Sequence, residues 1–560
     1  MGASSAAAAS AAEFNRRAFY ALIALRSLAA VLMPISDCDE TFNYWEPAHC
    51  LARGFGFQTW EYSPAFALRS YLYLAPVASG AHALALLMAD KVLIFYCLRT
   101  ALGACYGASE AFFVRAVHAR FGPSVALSTL YLAAGSAGAF HASVSLVPSA
   151  SAAVCTLLST GLWLDGAHGR AIFVAVGGIV ALWPVVVLVS VPLGVAALLA
   201  PRFGVGGVLR WGVCSTAFWA ALSIGVDTYY YRKPVFAAWN FLAYNVVGDA
   251  ERGPELYGVE DHLFYARNGF LNFNLALALA MALPLLEAAH VLLSRWRGRA
   301  AADEAYEGGV GLATASPLFI WFACMSAIPH KEERFLFPVY PLVPFAAALC
   351  LERLRRMSRR WLSPSLASLA GALCVGVTAV TVLVSASRVV ALHSNFAAPL
   401  QLYGELSKHM ASLPAGTATT VCVGKEWYRF PASFFVPHEG VRIAFVRNKP
   451  PEFTKADVGG QLPQPFNRTL STHGVPPHMN DLNREEPSRF VPPSACDFWV
   501  DLLLEDAGRR AFPATSWERI SSVPFLDRDA SNMPGKAFWT GPLWQSSKVY
   551  APYALLKRRK

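Results

Sequence analysis

Charge is what this sequence has least of. Asp, Glu, Lys and Arg make up 15% of its 560 residues, against roughly 25% in soluble globular domains. With 55% hydrophobic residues and a mean hydropathy of +0.38, that shortage excludes a water-soluble fold and marks an integral membrane protein. HExxH zinc spacing is absent, and His330 with Glu333 is a poor substitute for it. No repeat of fixed period is visible, which argues against the paired halves common in transporters. A single N-x-S/T tripeptide occurs, Asn467-Arg468-Thr469. The net charge of +10 suggests no nucleic-acid partner, because Lys and Arg collecting in short loops between apolar segments explain the excess.

What is present is a series of apolar runs. An Ala/Ser-rich leader, 1–17, ends in Arg16-Arg17, and the run Ala18 to Ile35 is long enough to span a bilayer. Met33-Pro34-Ile35 leaves no small-x-small cleavage site, so a retained helix is expected. Arg26 inside it should face protein or snorkel. Further runs lie at about 91–114, 124–141, 146–164, 171–185, 185–200, 211–226, 270–293, 311–328, 336–352 and 365–388. Together they predict an all-α polytopic domain over 18–390 with about eleven spans of ~20 residues. Trp183-Pro184 suggests a tight hairpin. Segment 66–88 reads as an interfacial helix with Tyr71 and Tyr73 at headgroup level.

With Arg16-Arg17 in the cytosol, the basic loops Arg115–Arg120, Asp165–Arg170, Pro201–Arg210, Ser294–Arg299 and Glu352–Arg360 all fall on that side. The opposite, lumenal side receives loops 36–90, 227–269 and 329–335 and the tail 391–560. Asn467 then lies where a glycan acceptor must. The tail carries Pro-rich polar stretches and strand-like runs at 418–423 and 498–504, so a small lumenal α/β domain is expected. In an oxidising compartment its cysteines, Cys422 and Cys496, are a candidate disulfide. Lys557-Arg-Arg-Lys560 looks like a cytosolic retrieval signal, which this topology places out of reach in the lumen.

Chemistry concentrates in two motifs. Asp37-Cys-Asp39-Glu40 puts three carboxylates within four residues, directly after an apolar run and before Phe42, Tyr44 and Trp45. A helix N-terminus would account for part of this, with Ser36 or Asp37 capping and the acids favouring the dipole. A partly desolvated carboxylate there would also have a raised pKa and suit a general base. His330-Lys331-Glu332-Glu333-Arg334 stands between two spans. It reads either as an ion-pair cluster or as an anion site in which Lys331, Arg334 and His330 bind a phosphate. Around Tyr229–Lys233 and Asn272–Asn274, aromatics and amides suit sugar recognition or an aromatic belt. Val423 to Phe430 reads as a substrate contact or, with more weight, as a structural ion pair.

Four stretches considered together carry a resemblance: Asp37 to Pro47, Gly56 to Pro64, His330 to Phe335 and Val423 to Pro431. Over about residues 19–555 the chain resembles the polytopic mannosyltransferases of glycosyltransferase family 22, and within it the α-1,2 branch of N-glycan precursor assembly in the endoplasmic reticulum. The resemblance implies a GT-C fold with its acids on the first lumenal loop. It implies dolichyl-phosphate mannose as donor and a dolichyl-diphosphate oligosaccharide as acceptor, with two mannoses added at different stages. Related members carry Pro-Asp-Glu or Val-Glu-Glu where this chain has Cys38-Asp39-Glu40. The family's acid pair therefore falls on Asp39 and Glu40, with Asp37 an addition and Asp39 the preferred base. Residues expected to contact substrate are Tyr44, Trp45, Glu46, Trp60, Glu61, Tyr62, Arg69, Asn272, Asn274, Glu332 and Glu333.

Transfer from a β-linked lipid phosphate to an α-linkage is an inversion, so one displacement with one base suffices. No cofactor or metal is expected, because cations can stabilise the phosphate that leaves. A lipid-linked-sugar transporter or flippase is the competing reading, and a structural subunit the third.

Overall fold

The computed structural model describes residues 2–247, 256, 258–296, 302–414, 417–447, 464–467, 471–475, 479–484, 486–504, 516–543 and 547–559. Leader and first apolar run form one continuous helix, Gly2–Leu32. It packs along helix Lys91–Phe121. Glycines allow that approach: a Cβ on Gly103 would sit 2.3 Å from the Arg26 carbonyl oxygen, and one on Gly107 would sit 2.7 Å from that of Leu22. Lipid gives helices no hydrophobic reason to associate, so close backbone packing through small residues must supply it. Arg26 lies fully buried beside this contact. It forks onto Glu110 at 2.7 and 2.8 Å and donates to the Ala133 carbonyl at 2.7 Å. It faces protein. Gly103→Val should cost about 1–3 kcal/mol by overpacking against backbone that cannot move aside. The readout is a lower melting temperature in detergent, and an unchanged one would mean the contact carries no load.

Five helices among the described residues are long and apolar enough to cross a membrane: Lys91–Phe121, Gly204–Tyr231, Leu275–Trp296, Glu307–Ala327 and Pro364–Phe396. A sixth arises if Glu333–Val339 and Leu342–Trp361, bent by 56°, count as one span. Shorter apolar helices, Pro123–Ala134, Pro148–Leu164, His168–Leu182 and Pro184–Leu198, fill the bundle. The run 124–141 is not one helix. It breaks at Gly135-Ser136, and Ser136 then caps Ala137–Ala142. At Trp183 the chain is extended (φ −148°) between a π-helical turn, Gly178–Leu182, and a 3-10 turn, Pro184–Val186. Segment 66–88 contains helix Tyr71–Ala85, whose first two tyrosines pack on protein. Tyr71 is buried against Tyr230 and Tyr231, and the Tyr73 hydroxyl meets Ser151 at 3.2 Å. Protein is the nearer partner for both.

Seven strands are described: β1 (Phe55–Gln58), β2 (Thr419–Val423), β3 (Val441–Phe445), β4 (Gln464–Asn467), β5 (Phe498–Leu502), β6 (Trp517–Leu526) and β7 (Tyr550–Arg558). The C-terminal part is a mixed sheet in the order β3-β2-β5-β7-β6, parallel through β3, β2 and β5 and antiparallel beyond. Helix Ala398–Ala411 packs on β6 and β7. Cys422 and Cys496 form a disulfide with Cα atoms 5.7 Å apart, beside Trp499 and Trp517. Of the basic terminal tetrapeptide, Lys557 and Arg558 belong to β7. The acidic loop is bound to this part of the chain. β1 pairs antiparallel with β4, aligning Phe55 with Asn467, and Phe42 and Phe57 stack on Trp427 and Phe445. The Arg468 and Thr469 positions of the sequon lie outside the described residues.

Candidate active site

Asp37 ends the extended segment after the first helix and caps the next, accepting from the Asp39 amide at 2.9 Å. The helix runs Cys38–Glu40, passes through a π-helical turn at Thr41–Trp45, and continues as Glu46–Arg53. Gly54 stops it in a left-handed conformation, φ 84°. The first residues of this helix divide the acids between two environments. Glu40 is buried and accepts from Trp45 Nε1 at 2.9 Å and from the Leu146 amide at 3.1 Å. Asp39 keeps 37% of its side chain exposed, beside Arg334. Asp37 is also partly exposed, so of the acids that follow it Asp39 is the accessible one and Glu40 the enclosed one.

Two residues not singled out in the sequence position this motif. Arg99, buried in its helix, donates to the Ala30 and Met33 carbonyls at 3.1 and 2.8 Å and closes the C-terminal end of the first helix. Its signal was an arginine inside an apolar run, a functional candidate by default. His141 Nε2 meets Ser36 Oγ at 3.0 Å.

The second charged motif meets the first here. Arg334 donates to Asp37 and, at 2.7 Å, to Asp39, and it also pairs with Glu332. His330 bridges the Gly258 carbonyl at 2.8 Å and Glu332 at 3.2 Å. Lys331 is buried and donates to the Glu260 carbonyl at 2.9 Å. Glu333 accepts from Asn268 at 3.1 Å and Asn272 at 2.9 Å. Burial lifts the Asp37 carboxyl to about 7, even against the pull of Arg334. Burial opposes charge on Glu332 as well, yet Arg334 and His330 hold it below the ordinary carboxylate range. Arg334 is pushed well above its ordinary value, because Asp37, Glu332 and Asp39 outweigh its own desolvation. Three acids share one guanidinium. Asp37, Cys38 and Asp39 also offer ligand atoms within 4.8 Å of one another, but Arg334 sits on both carboxylates.

Other expected substrate contacts divide into two groups. Arg69 donates to Glu61 at 2.8 Å and to the Tyr44 hydroxyl at 2.9 Å, close enough to Asp39 and Glu332 to feel their charge. Trp60 packs half-buried against Phe66 and Tyr244. Trp45, Glu46, Tyr62 and Asn274 are buried and bonded within the protein. Trp45 lies against Phe95, and the Tyr62 hydroxyl donates to the Asn43 carbonyl at 2.8 Å. Asn274 donates to the Thr381 carbonyl and Ser385 at 3.2 and 3.0 Å. Glu46 accepts from the Phe57 amide at 2.8 Å, from Ser433 Oγ at 2.9 Å and from the Ser433 amide. Burial lifts its carboxyl to about 7 despite these donors. Gly56, at φ 143°, has room for no side chain, since a Cβ would fall 2.6 Å from Glu46 Oε2. Farther off, Lys425 pairs with Asp501 at 3.0 Å and Arg429 with Glu426, so that stretch is an ion-pair cluster.

A buried guanidinium thus bridges acids from two distant loops in a chain rich in apolar helices. Residues 17–437 match the model of the Alg9-like mannosyltransferase family, and the chain belongs to that family and is a mannosyltransferase. It is 39% identical to alpha-1,2-mannosyltransferase ALG9 of Mus musculus, over 97% of this chain and 88% of the relative. It is 36% identical to that of Arabidopsis thaliana, over 96% and 91%. Among solved structures, ArnT from Cupriavidus metallidurans in the apo state has 13% identity and a TM-score of 0.48, over 87% of this chain and 90% of that one. Family membership decides for an enzyme over a transporter.

Proposed function

We propose that this mannosyltransferase transfers mannose from dolichyl-phosphate mannose, in α-1,2 linkage, to a dolichyl-diphosphate-linked oligosaccharide on the lumenal face of the endoplasmic reticulum membrane. One observation carries the reading: two charged motifs some 295 residues apart meet, so that an accessible carboxylate and a guanidinium stand side by side. Asp39 is the base that accepts the proton of the attacking hydroxyl. Arg334, with His330 and Lys331 on the same loop, provides positive charge toward the departing phosphate. Asp37 and Glu332 hold Arg334 in place. A single inverting displacement needs no nucleophilic side chain and no metal, since the lipid phosphate leaves as a stabilised anion. Purified protein incubated with dolichyl-phosphate mannose and a truncated lipid-linked oligosaccharide should add mannose. A folded preparation that adds none would overturn the reading.

The fold proposed is GT-C with about eleven spans of ~20 residues, counting the short apolar helices, and a lumenal C-terminal domain. The disulfide supports an oxidising compartment, and the place of Lys557 and Arg558 in β7 leaves little of a free basic tail for a cytosolic receptor. In sealed microsomes the tail should resist protease, and Asn467 should carry a glycosidase-sensitive glycan. Cleavage of the tail without detergent would reverse the topology.

A further inference from the structure

We propose that loop 531–543 of the C-terminal part of the chain is a membrane foot, with Met533, Trp539 and Leu543 seated in the bilayer face that meets the end of helix Pro364–Phe396. The loop follows β6 and carries three large apolar side chains that stand out from the protein. Met533 is 59%, Trp539 52% and Leu543 65% exposed. Single apolar residues on a surface are ordinary, but three in one short loop mark a surface made for an apolar partner.

The place where the loop is fastened identifies that partner. Helix Pro364–Phe396 is the most apolar of the five candidate spans among the described residues. Leu366, Leu369, Leu373, Val380 and Leu383 are exposed along it, as side chains facing lipid are. Arg359 and Arg360 close the preceding helix, so the span enters the hydrocarbon just after one headgroup region. From Leu366 to Ser387 it rises about 32 Å, at ~1.5 Å per residue, and the hydrocarbon of a bilayer is ~30 Å thick. Ser387 therefore stands at the opposite boundary.

The loop is bonded to that residue. The Trp539 amide donates to the Ser387 carbonyl at 3.0 Å, and Ser387 Oγ donates to the Trp539 carbonyl at 2.6 Å. Arg388 donates to the Ala537 carbonyl at 3.0 Å. Leu383, one turn before Ser387, and Val390, just under one turn after it, are both exposed, so Trp539 continues a strip that faces lipid. The ring of a tryptophan, apolar with one N–H, favours this depth. A protein partner would have to cover Leu383 and Val390 as well, and so displace lipid from the span.

The foot is stiff. Asn395 donates to the Gly535 and Lys536 carbonyls at 3.3 and 3.4 Å and accepts from the Tyr550 hydroxyl at 2.7 Å. Ser531 Oγ accepts from the Val549 amide at 2.8 Å and donates to the Val549 carbonyl at 3.2 Å. Tyr550 opens β7, an inner strand of the five-stranded sheet. The loop thus ties the sheet to the end of the span, and lipid beneath it fixes the height of the sheet above the bilayer. The inference is independent of the donor and acceptor assigned above.

The test uses the full chain in phosphatidylcholine nanodiscs. Trp539, Leu543 and Arg442 are each replaced by p-benzoylphenylalanine in separate variants, and the irradiated proteins are weighed intact. Arg442 is exposed on β3, the edge of the sheet opposite β6, and serves as the control. Phosphatidylcholine adducts at 539 and 543 should exceed those at 442 by at least about tenfold. If those variants fail to fold, Trp539→Phe decides. The tryptophan emission it removes should be quenched by lipids brominated near their carbonyls and spared by aqueous iodide. Lipid adducts no more frequent at 539 and 543 than at 442, or emission quenched by iodide alone, would overturn the foot. Cross-linked dimers in place of lipid adducts would give the loop to a second copy of the chain, and the proposal would fall.

Discussion

Asp39→Asn should lower turnover by ~10²-fold or more while leaving the donor KM largely intact. The amide keeps the shape of the carboxylate and can still accept from Arg334, so the charge network loses one charge and no atoms. What it cannot do is take a proton from the acceptor hydroxyl. Glu40→Gln is the informative control. Glu40 receives two donors, Trp45 Nε1 and the Leu146 amide, on a single buried oxygen. An amide there can turn a donor toward a donor, so its cost should appear in folding yield and melting temperature. Near-normal turnover in Asp39→Asn, with well-folded but inactive Glu40→Gln, would move the base to Glu40.

Arg334→Ala should cost ~2–4 kcal/mol in the transition state, or roughly 30- to 1,000-fold in kcat/KM. The loss has two parts, since positive charge near the leaving phosphate disappears and three acids are left to repel one another. The second part has its own signature in pH. Arg334 pulls down the carboxyls of Asp37 and Glu332, so without it both stay protonated to higher pH. If activity requires this cluster ionised, the acid limb of the pH–rate profile must move upward. A residue that only held the fold together would reduce yield and leave that limb in place. Arg334→Lys should recover little, because one ammonium cannot fork across Asp37 and Asp39 as a guanidinium does. Wild-type kinetics in both variants at normal yield would make the loop a structural ion-pair cluster.

Much of the site is legible in the sequence because its chemistry is local. Three acids after an apolar run, and five ionisable residues between two others, stand out against a background with so little charge. Their meeting is not legible, since no period or spacing links Asp39 to Arg334. Buried and substrate-facing aromatics cannot be told apart one by one in a sequence, and Trp45 and Tyr62, both expected to contact substrate, are fully buried. Glu46 is buried as well. Its partners on Ser433 lie 387 residues away, and a lone glutamate beside Trp45 looks like chemistry. The helical bundle is blurred where Gly135-Ser136 and Trp183-Pro184 divide runs that hydropathy joins. Arg26 could be read correctly, because a charge inside lipid leaves few choices and protein is the cheapest.

The ties between the acidic loop and the far end of the chain set the order in which the enzyme can come into being. Thr41 reaches the Pro431 carbonyl, Lys91 and Glu46 reach Ser433, and β1 completes a sheet with β4. These partners emerge from the ribosome 342 to 390 residues after the side chains they meet, and β4 later still after β1. During that interval the loop is a polar segment without walls, and closing so long a span is slow. Assembly of the bundle and maturation of the site are therefore separate events, with the second waiting on the last part of translation. A chain ended before Pro431 would still insert and still carry Asp39, Arg334 and every residue proposed to touch substrate. It would have the reagents without the vessel.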